Sequence, residues 1–84
     1  MPLISPFTAA IPLLNQHGET FGAWVAAQVD REGLVGELVA GAKADRRFPR
    51  SGSPDDVRRH LSAMQADGDL FEAVDEAETD WLAY

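Results

Sequence analysis

Residues 20–49, TFGAWVAAQVDREGLVGELVAGAKADRRFP, decide the fold. Phe21, Trp24, Val25 and Gln28 recur at spacings of three and four, which predicts a helix capped by Thr20 and running to about Val29. Asp30-Arg31-Glu32-Gly33 breaks it. Leu34, Val35, Leu38, Val39 and Ala42 then mark a second helix from about Leu34 to Ala44. Gly36 and Gly41 interrupt that helix, each at a cost of ~1 kcal/mol relative to alanine. Close approach of another backbone is the expected reason for both. The segment closes at Arg47-Phe48-Pro49, because the residue before a proline is pushed away from helical geometry.

Outward from this stretch the punctuation stays clear. Ser51-Gly52 reads as a turn, Ser53 as an N-cap, and Pro54 as the first residue of a third helix, with Asp55 and Asp56 beside its positive end. Val57, Leu61 and Met64 form its inward stripe, and Asp67-Gly68 is the expected stop. A fourth helix is expected with Asp69 as N-cap, Glu72 in capping-box position, and Leu70, Phe71, Val74, Ala77, Trp81 and Leu82 facing inward. Residues 1–18 form an apolar arm carrying Pro2, Pro6 and Pro12, which rule out one long helix there. Phe7, Ile11 and Leu14 are expected to be at least partly buried, against the bundle or against a second copy. The fold class is therefore all-α: a compact domain of four to five helices over residues 19–84, preceded by the arm. Its expected core holds Phe21, Trp24, Leu38, Phe48, Leu61, Val74 and Trp81.

Phe21, Trp24, Gln28, Arg31, Gly36, Leu38, Asp45, Phe48 and Pro49 stand in an order that resembles the YozE-type SAM-like domain. That family consists of small bacterial helical domains of uncharacterised biochemical role. The resemblance continues more loosely to about Leu61 and leaves out the arm. It implies a SAM-like fold. The shared positions are packing and turn residues, so it implies no reactive group.

Composition sets further bounds. A chain of 84 residues is one domain, and at that size folding buries only ~60–65% of the unfolded surface. The absence of cysteine excludes disulfides and thiolate zinc sites and suits a reducing compartment. No stretch reaches the ~20 apolar residues of a membrane helix, and the arm has no basic start like that of a signal peptide. A cytoplasmic protein with no membrane contact is expected.

Reactive chemistry is poorly represented. His17 and His60 are separated and lack ligand spacing, so both read as surface histidines and no metal site is expected. Ser51, Ser53 and Ser62 have turn, cap or helix positions and no base beside them. The glycines lack the neighbours of a phosphate-binding loop. No catalytic or cofactor-binding residue is expected, and the chain does not read as an enzyme.

Charge is more specific. The formal net charge is −7, yet Lys43, Arg46, Arg47, Arg50, Arg58 and Arg59 fall together in residues 43–59. Residues 67–84 carry Asp67, Asp69, Glu72, Asp75, Glu76, Glu78 and Asp80 and no base. Glu72, Glu76 and Asp80 repeat every four residues, which costs ~0.2–0.5 kcal/mol per like-charge pair. Local rules broken without an internal gain tend to mark functional surfaces. Arginine forks suit carboxylate or phosphate recognition. The expected function is a small non-catalytic protein-interaction module with a basic face (Lys43, Arg46, Arg47, Arg50, Arg58, Arg59) and an acidic face (Glu72, Asp75, Glu76, Asp80). It would meet a protein partner, or itself through a heterologous contact. The alternatives are nucleic-acid binding through the arginine cluster, or an acidic inhibitor that mimics nucleic acid. The SAM-like resemblance fits the first two, since SAM domains often associate through oppositely charged surfaces and some SAM-like domains bind nucleic acid.

Overall fold

Thr20 begins the helical part of the chain with two bonds from one hydroxyl. Its Oγ1 accepts from the amide of Ala23 at 3.1 Å and donates to the carbonyl of Arg50 at 2.7 Å. The first bond caps a helix and the second ties its start to a turn thirty residues later. In the computed structural model, which describes residues 13–84, the elements are α1 (Phe21–Ala27), α2 (Gly33–Ala44), α3 (Pro54–Ala63) and α4 (Gly68–Ala83). Among the described residues there is no strand. The all-α class is thus as expected, with four helices. Phe7 and Ile11 lie outside the described residues; Leu14 is 49% exposed, so it is only half covered.

α1 ends two residues earlier than its periodicity suggested. Gln28 is extended, and Asp30 adopts a left-handed φ of 57°. The orphaned carbonyls at this end are met from outside the helix. Gln28 Nε2 donates to Trp24 O at 3.2 Å, and Lys43 Nζ donates to Ala26 O at 2.7 Å. A helix end satisfied this way can stop without a glycine. Val29, left outside, is largely exposed.

α3 is framed by two local motifs. At its start Ser53 accepts from the Asp56 amide while the Asp56 carboxylate accepts from the Ser53 amide, a reciprocal capping box with Pro54 at the first position. At its end Gln65 takes a left-handed φ of 56°. Gln65 N donates to Ser62 O and Ala66 N to Leu61 O, both at 3.0 Å. These two bonds are a Schellman stop made without glycine. The helix therefore ends at Ala63, ahead of the expected stop at Asp67-Gly68. α4 also starts earlier than expected: Asp67 is its N-cap, with no side-chain capping bond, and Asp69 lies in the first turn.

The core forms where α2 packs on α4, with α1 laid against both and α3 against α4 and α1. Phe21, Trp24, Leu38, Phe48, Leu61, Val74 and Trp81 are all buried, as the periodicity predicts. Phe21 meets the edge of Trp81 at 5.6 Å between centroids. Fully burying a large apolar side chain contributes ~1.5–3 kcal/mol, so this aromatic group is a large share of a small domain's stability. Two positions assigned inward turn outward: Met64 is 56% exposed, because α3 stops just before it, and Leu82 is 41% exposed near the end of α4.

Candidate functional site

The six basic residues of 43–59 have different fates. Lys43 is spent on the end of α1. Arg50 donates to Ala42 O at 3.0 Å and, at longer range, to Asp45 O, closing the end of α2. Arg58 holds three carboxylates at once: Asp55 at 2.9 Å, Asp75 at 2.7 Å and Glu78 at 2.6 Å. Partial burial works against the Arg58 charge, but the hydrogen bonds to Glu78, Asp75 and Asp55 outweigh it and raise its pKa above the ordinary arginine value. Arg59 pairs with Asp56 one turn back on the same helix and remains 74% exposed. The local pairs are thus Asp55–Arg58 and Asp56–Arg59, rather than the Asp55–Arg59 pair that the spacing suggested. Arg46 and Arg47 are exposed, and among the described residues their side chains make no ion pair or hydrogen bond.

The acidic residues divide in the same way. Asp75 is held by Arg58, and Asp80 by Arg31 at 2.6 Å. Glu72 and Glu76 are exposed and have no ion-pair partner among the described residues. The two charged sets therefore do not stand wholly apart: Arg58 joins α3 to α4 across the boundary between them. The repeat of like charges on α4 is also partly relieved, since Arg31 neutralises its last member.

Arg46 and Arg47 sit on the turn after α2, and Asp45 shapes that turn. Asp45 Oδ1 accepts from the Arg47 amide at 2.8 Å, and Asp45 O accepts from the Phe48 amide. Its other oxygen, Oδ2, lies 2.7 Å from His60 Nε2. The His60 hydrogen bond first, and the Arg47 amide second, hold the Asp45 carboxyl below its usual pKa. His60 is only 18% exposed at its side chain and meets Phe48 edge-on, with centroids 6.2 Å apart. It is thus a half-buried linker between α3 and the α2 turn, which corrects its reading as a surface histidine. Among the described residues no hydroxyl is hydrogen-bonded to it. No group of three or more potential metal ligands occurs among them either.

Beside this pair lies an apolar groove of about 80 Å³, lined by Leu38, Gly41, Phe48, Leu61, Met64 and Leu70. His60 and Asp45 form one rim and Glu37 another. A second, more open hollow continues from the His60 rim to Arg47. Arg47, whose guanidinium is unspent, thus lines a hollow that shares Asp45, His60 and Met64 with the apolar groove, and Arg46 precedes it on the same turn.

No family model, no curated protein and no solved structure matches this chain. Among the described residues no helix is long and apolar enough to cross a membrane.

Three features of the groove, involving four residues, escaped the sequence reading. The His60–Asp45 bond spans fifteen positions between different elements and leaves no periodic signal. Met64 continues the Val57–Leu61 stripe by spacing, but the Schellman stop removes it from the helix. Gly41 was expected beneath another backbone, yet a Cβ built on it meets nothing within 4 Å among the described residues. Gly36 fits the expectation: a Cβ there would strike the Arg31 carbonyl.

Proposed function

We propose that this chain is a small, non-catalytic, SAM-like protein-interaction module whose principal contact lies at the turn between α2 and α3. The observation that carries the reading is a turn bearing Arg46 and Arg47, without ion partners among the described residues, on which Arg47 lines a hollow that adjoins the apolar groove. Charge on an exposed surface contributes only ~0.2–1 kcal/mol per pair, so a useful contact needs an apolar centre. The groove supplies that centre and the arginines supply orientation and selectivity for acidic groups. Glu72 and Glu76 form a second, acidic surface on α4, which permits a heterologous contact between copies as well as with a different protein.

The same arginines would also suit phosphate, and the net charge of −7 opposes long nucleic acids. The test is capture of partners from extracts of the native host, with and without nuclease, using the wild-type chain and an Arg46→Glu/Arg47→Glu variant. A protein retained after nuclease treatment and lost on arginine reversal supports the module. Capture that disappears with nuclease, or that ignores the reversal, overturns it.

A further inference from the structure

We infer that the groove lined by Gly41 receives one aliphatic side chain from a partner protein segment that is acidic at the end lying beside Arg46 and Arg47. This rests on the interaction reading above and adds what docks and where. Four glycines lie in the first two helices, and three of them have reasons inside the molecule: Gly33 opens α2 with a left-handed φ of 68°. A Cβ on Gly22 would run into the carbonyl of Pro49, and one on Gly36 into that of Arg31. Gly41 has no such reason among the described residues: they leave the space beside it open, and that space is the groove. A glycine inside a helix weakens it. Here the weakness leaves depth for something that is not part of the described chain.

Met64 also lines the groove, exposed and adaptable in shape, as methionines at binding surfaces often are. A cavity of about 80 Å³ with an almost wholly apolar lining suits one branched or thioether side chain rather than a ring system. Both ends of the groove carry a carboxylate, but Asp45 is engaged by His60 at 2.7 Å and by the Arg47 amide at 2.8 Å, whereas Glu37 has no ion-pair partner among the described residues. Arg47 lies beyond the His60 rim, while Glu37 borders the other side. The occupant is therefore polar in sequence: a carboxylate falls on the arginine side of the aliphatic anchor and none on the Glu37 side.

The experiment records amide shifts of the full-length ¹⁵N-labelled chain as a short synthetic peptide is added. The peptide carries one leucine followed by two glutamates, and its controls replace the leucine by alanine or the glutamates by lysine. Saturable shifts at Gly41, His60 and Met64 are expected, with Kd on the order of 1 mM and at least about tenfold weaker binding for each control. Gly41→Leu should keep or raise the melting temperature and abolish those shifts; Met64→Glu, at an exposed position, should weaken them without filling the groove. Silence at Gly41 and Met64, or full binding by both variants, overturns the inference. Shifts confined to Arg46 and Arg47 would remove the groove and leave the interaction module standing. Concentration-dependent shifts at Gly41 without peptide would replace the partner segment with a second copy and overturn the assignment. The module itself stands or falls on the arginine-reversal capture.

Discussion

Single residues here separate packing requirements from open space, and the helix glycines do so most sharply. Gly22 lies against the 49–52 turn, donating its amide to Gly52 O at 3.1 Å while its α-carbon faces the Pro49 carbonyl. Gly22→Ala must push that backbone away and should cost ~1–3 kcal/mol. Gly41→Ala meets nothing and should instead stabilise by ~0.5–1 kcal/mol. Urea melts of the two variants check this difference in sign; destabilisation by Gly41→Ala would show that its space is not free. The tryptophans form a second contrast. Trp81 Nε1 donates to Glu19 O at 3.1 Å, whereas buried Trp24 Nε1 has no acceptor among the described residues. Replacing each by phenylalanine should therefore cost ~0.5–1.5 kcal/mol more at Trp81 than at Trp24, beyond the shared loss of ring volume. Equal denaturation midpoints for the two variants would count against that difference. Gly22 had no signal in the sequence, since a short helix hides which face meets a distant turn.

At the level of elements, the helices were legible in the sequence and their ends much less so. Periodicity located every helix and the core residues Phe21, Leu38, Val74 and Trp81, because burial imposes spacing on the chain. Helix ends depend on single hydrogen bonds, some from distant residues such as Lys43 to α1 and Arg50 to α2. The Ser53 cap and Pro54 were readable because their motif is local; the Schellman stop at Gln65 was not, because it uses neither glycine nor asparagine. Ser53→Ala should cost ~1 kcal/mol by removing the acceptor for the Asp56 amide, measurable by thermal unfolding. The carboxylates at these junctions also make a pH prediction. The Asp56 carboxyl is held below its usual pKa, first by the Ser53 amide and then by Arg59, as Asp45 is by His60 and the Arg47 amide. A depressed folded-state pKa means stability that is present above the unfolded value of 3.8 and lost as pH falls through the folded value. Stability should accordingly fall below about pH 4. An Asp45→Asn/Asp56→Asn variant should be less stable than the wild type at neutral pH and show a shallower acid slope; an unchanged slope would contradict the assignment of these two groups.

For the molecule as a whole, the clustering of charge was visible in sequence but its arrangement was not. Counting residues cannot show that Arg58 binds three acids or that Arg31 reaches Asp80, because those pairs depend on how α3 and α4 lie together. What remains after the internal pairs are removed is smaller and more pointed: Arg46 and Arg47 on the turn that adjoins the groove, and Glu72 with Glu76 on the outer side of α4. Asp80 and Arg58 are unsuitable probes of binding, since reversing either would break a bond between elements. The most direct measurement of the central claim is the affinity of a captured protein partner for three forms of the full chain. These are the wild type, Arg46→Glu/Arg47→Glu and Glu72→Lys/Glu76→Lys, compared by calorimetry at fixed ionic strength with melting temperatures recorded alongside. The account predicts that the arginine reversal weakens binding by at least about tenfold while the fold melts as before, and that the α4 reversal has a smaller effect. Unchanged affinity for the arginine variant, with the fold intact, would contradict it.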